Sequence, residues 1–397
     1  MTRAWRWARE ANAVVVTLLA VLVAAVLGGL LVAAADPATQ TAAGYFGARP
    51  GDTFSAAARA AGSAYRALFE GAVLNPSTLS SGSFTQIAGS LSETVTLATP
   101  LILAGLSVAV AFRAGLFNIG GQGQIVLGAV FAGYVGFTWH LPVGLHLLVA
   151  LLAGLLGGAL WGGLAGALKA RFGAHEVITT IMLNYIAVAL LGLLLTTSGF
   201  QRPPGTQAIS PVVDASARLP HLAGSALRLH AGILLALLAA LAVWWLVERS
   251  VLGFRLRAVG ANPNAARTAG MHVGRVTTLV MLLAGGLAGL AGACQALGTN
   301  SAVTGDIDAG IGFDGITVAL LGRGKPGGTV AAGLLFGGLR AGGSYMQSAT
   351  SVPLDLVTVL QALIVVFVAA PTLVAALFRL REARGDSGTP QLAKGWG

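Results

Sequence analysis

Three amide side chains fall within one short stretch of an otherwise apolar chain, GLFNIGGQGQ at 115–124. They are Asn118, Gln122 and Gln124, and four glycines lie among them. Amide groups in an apolar segment are costly unless they line a cavity or find hydrogen-bond partners. The stretch therefore predicts either contacts with a polar solute or hydrogen bonds between neighbouring helices, and the residues alone leave both alternatives open.

Other polar side chains are also embedded in apolar runs. Asn184 lies within HEVITTIMLNYIA at 175–187, and Asp314 lies near the start of GFDGITVALLGR at 312–323. Asp314 has a second interpretation, because Asp is a strong helix N-cap and favours the helix dipole. Arg340 is the one basic residue inside an apolar segment, and we hypothesise that it pairs with Asp314. The residues predicted to line a pathway or gate are Asn118, Gln122, Gln124, Asn184, Asp314 and Arg340.

The residue types needed for bond chemistry are scattered. The single cysteine, Cys294, lies in an apolar run, and no His or Cys spacing fits a metal site. GRGKPGG at 322–328 superficially resembles a phosphate loop, but Pro326 follows Lys325 where that motif requires Ser or Thr. No basic stripe alternates with aromatic residues, which argues against nucleic-acid binding. We therefore expect no enzyme activity and predict no catalytic, metal or cofactor site.

The composition indicates an integral membrane protein. Hydrophobic residues make up 55% of the 397 residues and charged residues only 10%, whereas soluble domains carry about 25% charged residues. About 20 apolar residues form one membrane-spanning helix. The predicted fold is an all-α polytopic membrane protein with about ten segments, namely 11–35, 92–112, 115–138, 143–168, 176–198, 230–248, 276–298, 309–322, 328–348 and 354–378.

One predicted segment and one repeat remain open. Segment 309–322 is short, so it either spans the bilayer or re-enters from one side. Phe117-Asn118 and Phe313-Asp314 each open a glycine-rich segment, which suggests inverted repeats of segments two to five and seven to ten.

Charge placement predicts the orientation. With the N-terminus inside, 17 of the 24 Lys and Arg residues fall on the inner side, six on the outer side and Arg340 within a segment. Basic residues concentrate in cytoplasmic loops. We expect both termini in the cytoplasm and a location in a bacterial inner membrane, with lipid surrounding the segments.

A polar stretch on the predicted inner side, LRAVGANPNAARTAGM at 256–271, has the signals of a short capped helix. Asn262 suits the N-cap, Pro263 the first helical position and Gly270 the left-handed position after the end. Small residues such as Ala265 and Ala266 give the helix a surface without large side chains, which another protein could contact closely. A simple linker between segments is the alternative, although a linker does not need both caps.

This stretch resembles the cytoplasmic coupling loop of ATP-binding-cassette (ABC) importer permeases, in the branch that moves nucleosides and simple sugars. The segments 115–124, 175–187 and 312–323 are similar to the same branch and occur in its order, over about residues 87–375. The resemblance implies a permease that works with two ATP-binding ABC subunits, a second homologous permease and an extracytoplasmic substrate-binding protein. It assigns to the ATPase-coupling element Arg257, Gly260, Asn262, Pro263, Ala265, Ala266, Arg267 and Gly270.

The predicted organisation follows from these segments. Residues 1–86 would hold a transmembrane helix and an external amphipathic segment, 87–380 the permease domain with its coupling loop 249–275, and 381–397 a cytoplasmic tail. The alternative function is an ion-coupled secondary transporter. That class needs acidic or His residues in mid-membrane, whereas Glu93, Glu176, Asp314 and Asp355 lie near segment ends.

Overall fold

The computed structural model describes residues 13–224, 226–350 and 352–378, and the regular structure there is helical. The first eight helices are α1 (Ala13–Ala35), α2 (Pro37–Ala43), α3 (Pro50–Ala72), α4 (Phe84–Arg113), α5 (Gly121–Thr138), α6 (Leu145–Phe172), α7 (Glu176–Leu194) and α8 (Gly232–Arg249). The next seven are α9 (Val251–Ala261), α10 (Pro263–Thr268), α11 (Val273–Cys294), α12 (Ile311–Leu321), α13 (Pro326–Thr350), α14 (Asp355–Ala369) and α15 (Pro371–Leu377). The predicted tail, 381–397, lies outside the described residues.

Six helices among the described residues are long and apolar enough to cross a bilayer. They are α1, α4, α6, α7, α8 and α11, the last continued by a π-helical turn at Gln295–Thr299. The all-α polytopic architecture is therefore confirmed, while the count of ten segments is not. The predicted segment 309–322 corresponds to α12, whose 11 residues reach roughly 16 Å and fall short of a bilayer core of about 30 Å.

Two predicted segments are interrupted in the structure. Segment 115–138 begins as a helix only at Gly121, because Gly115 ends α4 in the left-handed conformation, with φ at 67°. Segment 354–378 is divided into α14 and α15 at Ala370. Pro371 disfavours the helical conformation at the residue before it, and Ala370 accordingly has φ at −113° and ψ at 65°.

The chain forms two compact units. Among the described residues, one comprises those up to Thr94 together with those from Gly338 onward, and the other comprises Val95–Gly337. In the first unit, Ala24 of α1 packs with Leu360 and Ile364 of α14 in one apolar cluster. The predicted division at residue 86, with 338–380 in the permease domain, stays a prediction.

The predicted amphipathic segment in the first unit forms helix α3. Its small side chains Ala64 and Ala67 are buried, and the Tyr65 hydroxyl donates a hydrogen bond to the carbonyl of Ala25 in α1. α3 therefore packs along α1 through its small-residue face. Its position at the membrane surface stays a prediction.

Close helix packing in the second unit depends on glycine. Gly158 of α6 faces Gly285 and Gly289 of α11, and a Cβ at Gly158 would lie 2.6 Å from the backbone nitrogen of Gly289. Small residues allow membrane helices to approach backbone to backbone. Glycines recur every fourth residue of α6, at 154, 158, 162 and 166, and form the flat helix face that allows this approach. α5 completes the centre of this unit by packing against both helices.

Candidate coupling element and amide network

The polar stretch at 256–271 folds into two short helices, α9 and α10, that meet at Asn262. The Asn262 carboxamide oxygen accepts hydrogen bonds from the backbone N–H groups of Asn264 and Ala265, each at 3.0 Å. Pro263 occupies the first helical position, where a missing N–H costs nothing. The start of α10 therefore has the cap that the sequence predicts.

The end of α10 is also capped. Gly270 has φ at 80° and its N–H donates to the carbonyl of Arg267, while the N–H of Met271 donates to the carbonyl of Ala266, both at 3.0 Å. This pair of hydrogen bonds is the Schellman motif, which satisfies the last carbonyls of a helix. A linker without function would not need both caps, so the geometry favours a rigid projecting helix.

The two faces of α10 differ in exposure. Ala266 is only 4% exposed and packs the helix onto the rest of its unit, whereas Ala265 and Arg267 are exposed. Arg267 donates a hydrogen bond to the Asn264 side chain at 3.2 Å. The surface available to another protein is therefore formed by Ala265, Arg267 and their neighbours, and the methyl group of Ala266 is not part of it.

Helix α9 supports α10 from the side of the apolar unit. Leu256 is fully buried, and Gly260 lies against the turn that ends α4, where a Cβ would stand 2.7 Å from the carbonyl carbon of Ala114. One terminal guanidinium nitrogen of Arg257, Nη1, is buried and has no acceptor among the described residues. The two short helices are thus attached to α4 by a contact between backbones.

Two of the three amides in the GLFNIGGQGQ stretch form a hydrogen-bonded pair, which together with Asn184 of α7 we call the amide network. Asn118 and Gln124 bond reciprocally through their carboxamides, both at 3.0 Å, and the Asn118 oxygen also accepts from the N–H of Gly120. Asn118 is fully buried and Gln124 is 1% exposed. These two predicted pathway residues hold the non-helical segment between α4 and α5 in place.

Asn184 ties this segment to α7. Its oxygen accepts from the N–H of Gly123 and its nitrogen donates to the carbonyl of Ile119, both at 2.9 Å. Asn184 is 3% exposed. The side chain thus replaces hydrogen bonds that the backbone cannot make for itself where the helix is interrupted.

Gln122 differs from the other amides. It is half-buried, and its carboxamide has no hydrogen-bond partner among the described residues. The backbone of Gln122 lies against Gly312 at the start of α12, so the side chain stands at a junction between two glycine-rich helix starts. Of the three predicted amides, Gln122 is the one whose polar atoms remain available to a solute.

Asp308, rather than Asp314, caps the start of α12. Its carboxylate accepts from the N–H of Gly310 at 3.1 Å and from the N–H of Gly312 at 3.0 Å, and the residue is 4% exposed. Asp314 lies in the first turn of α12 and is half-buried. Arg340 belongs to the other compact unit, so its pairing with Asp314 stays a prediction.

Two ion pairs at the predicted inner ends of helices were not anticipated. Arg113, the last residue of α4, donates through Nε to the carbonyl of Gly324 at 3.2 Å and lies 3.7 Å from the carboxylate of Glu248. Lys169 and Glu176 pair at 2.6 Å and join the end of α6 to the start of α7. A basic residue that ends a long apolar run just before a glycine is the sequence signal that could have singled out Arg113.

We predict that replacing Asn184 with Leu destabilises the protein far more than replacing Gln122 with Leu. The Asn184→Leu change leaves the N–H of Gly123 and the carbonyl of Ile119 buried without partners, at a cost of about 2–4 kcal/mol. The Gln122→Leu change removes no hydrogen bond and serves as the matched control. Thermal unfolding of the two detergent-solubilised variants makes the comparison, and equal losses would contradict the network.

Comparison with known proteins identifies the family. A family model described as "Branched-chain amino acid transport system / permease component" matches residues 90–369. A guanosine ABC transporter permease protein of Bacillus subtilis is 44% identical over 282 residues, which is 70% of this chain and 80% of that protein.

Two other relatives carry related names. A glucose ABC transporter permease protein of Haloferax volcanii is 35% identical over 70% of this chain and 75% of its own length. A nucleoside ABC transporter permease protein of Lactococcus lactis is 34% identical over 75% of this chain and 83% of its own length. No solved structure matches the chain. The chain therefore belongs to the branched-chain amino acid transport system permease family, as a multi-pass membrane permease component of an ABC importer.

Proposed function

We propose that this chain lines the path of a nucleoside through a bacterial cell membrane, using ATP hydrolysed by separate subunits. The similarity to permeases named for guanosine and for nucleosides supports that substrate class. A simple sugar is the second candidate, because a relative with 35% identity is named for glucose. Both substrates are neutral polar solutes, which a pathway recognises through hydrogen-bonding groups.

The observation that carries this proposal is the doubly capped helix α10. Permeases of this family work with ATPase and substrate-binding components, and a rigid projecting helix gives an ATPase a surface to hold. In this proposal α10 faces the cytoplasm, as do both termini, in agreement with the basic residues on that side. The coupling residues are Arg257, Gly260, Asn262, Pro263, Ala265, Ala266, Arg267 and Gly270.

The proposed assembly contains two ATPase subunits, this chain, a second homologous permease and an extracytoplasmic substrate-binding protein. ATP binding would draw the ATPases together and move α10, which switches the pathway between outward and inward access. Gln122 is the amide proposed to contact the solute, while Asn118, Gln124 and Asn184 shape the pathway around it. Asp314 and Arg340 stay proposed gate residues.

Uptake measurements test the substrate class and the energy source together. Cells that carry this chain with its ATPase and binding-protein partners are expected to accumulate labelled guanosine, with unlabelled glucose competing weakly. Deleting the ATPase should abolish accumulation. Uptake that persists without the ATPase and follows an ion gradient would contradict the proposal, and stronger competition by glucose would favour the sugar.

We predict that the conformation at Gly270 matters for coupling. Nothing lies within 4 Å of a Cβ at this position, so a side chain has room and only the φ of 80° opposes it. A β-branched residue is disfavoured in the left-handed region by about 1–2 kcal/mol, whereas Asn adopts it readily. Gly270→Val should therefore lower ATP-dependent uptake, and Gly270→Asn should retain most of it, at equal amounts of membrane-inserted protein. The same uptake by both variants would show that the end of α10 need not keep this geometry.

A further inference from the structure

Helix α9 touches the end of α4 through two glycines that lie far apart in sequence. A Cβ at Gly260 would stand 2.8 Å from the carbonyl oxygen of Arg113 and 2.9 Å from the nitrogen of Gly115. In the reverse direction, a Cβ at Gly115 would stand 3.1 Å from the Cα of Gly260. No side chain lies between the two backbones, so a displacement of α9 acts directly on the backbone of residues 113–115.

The turn at 113–115 is itself closely determined. The N–H of Leu116 donates to the carbonyl of Ala111 and the N–H of Gly115 donates to the carbonyl of Phe112, which forms a Schellman motif with Gly115 at φ 67°. Three residues later comes Asn118, the centre of the amide network. The turn therefore lies between α9 and the segment that precedes α5.

Arg113 connects the same turn to α12. Its Nε donates to the carbonyl of Gly324, which lies just beyond the end of α12, and Glu248 at the end of α8 is 3.7 Å from its guanidinium group. At the other end of α12, a Cβ at Gly312 would stand 2.5 Å from the Cα of Gln122. Both ends of α12 are thus attached to the chain between 113 and 122, one by a hydrogen bond and one by a glycine contact.

Arg257 of α9 carries a polar atom that this arrangement leaves unsatisfied among the described residues. A buried charged donor without an acceptor is costly, and its Nη1 lacks one in the described part of the chain. A shift of α9 that brings an acceptor to this nitrogen would form a new hydrogen bond. That bond would offset part of the free energy lost when other contacts of α9 break. Closely packed elements with two alternative arrangements are what transmit movement in proteins.

We infer that Gly260, Gly115 and Arg113 form a joint that passes movement of α9 and α10 to the amide network and to α12. The inference rests on the proposed function, because it takes the ATPase as the source of that movement. Gly260 and Gly115 act as positioning residues that keep two backbones in contact. The hydrogen bond from Arg113 to Gly324 makes α12 move together with them. The joint lies within the permease and not at the surface that contacts the ATPase. Disturbing it should therefore lower transport while ATP hydrolysis continues.

The test is the Gly260→Ala variant in the assembled transporter, measured as uptake per ATP hydrolysed. Gly260 contacts the turn at 113–115 and is not part of the exposed face of α10. The added methyl group must displace that turn, so we expect assembly and hydrolysis to persist while this ratio falls at least about fivefold. Gly327→Ala is the matched control, because Gly327 is a helical residue with nothing within 4 Å of a Cβ. An unchanged ratio in Gly260→Ala would overturn the inference. This includes the case in which uptake and hydrolysis fall by the same factor.

Arg113→Lys provides a second test that leaves the backbone intact, in case Gly260→Ala does not accumulate in the membrane. Lysine keeps the charge beside Glu248 and loses the Nε hydrogen bond to Gly324, so the ratio should again fall, whereas Arg171→Lys at an exposed position should not change it. A normal ratio in Arg113→Lys would overturn the role of Arg113. Failure of the proposed function would look different, since the unaltered chain would then transport without any ATPase.

Discussion

A backbone that leaves helical geometry inside an apolar unit must find hydrogen-bond partners for the groups it frees. Between α4 and α5 those partners are the carboxamides of Asn118 and Asn184, with Gln124 holding Asn118 in place. This network fixes where α5 begins, and hence where its glycines meet α6, α11 and α12. The interruption would be unstable without it, and a continuous helix would offer neither a half-buried Gln122 nor a turn for α9 to touch.

Two kinds of contact stabilise the second unit. Hydrogen-bonded amides hold the interrupted segment in one conformation, while glycine contacts such as Gly158 with Gly289 bring helices together without an intervening side chain. Close-packed interiors transmit displacement instead of absorbing it. This combination explains how a six-residue helix at the predicted inner surface could influence residues deep in the apolar unit.

Local features were predictable from the sequence and long-range ones were not. The caps of α10 depend on residues within a few positions of each other, so Asn262, Pro263 and Gly270 identified them. The spacing of the glycines in α6 likewise indicates a close helix contact without identifying its partner. The partner of Asn184, in contrast, lies 61 residues away, and the capping role of Asp308 depends on the loop before α12. The predicted segment began at 115 and the helix begins at Gly121, because an apolar run does not reveal where the backbone leaves the helix.

If Gly260, Gly115 and Arg113 pass on movement as inferred, a displacement of α9 and α10 reaches Gln122. A thiol placed there by Gln122→Cys reports on it directly, since the native Cys294 is fully buried and should not react with a polar reagent. In the assembled transporter we expect ATP with vanadate to change the labelling rate of this thiol severalfold, and we expect the change to disappear when ATPase subunits are absent. A labelling rate that is the same with and without nucleotide would show that movement of α9 and α10 does not reach Gln122.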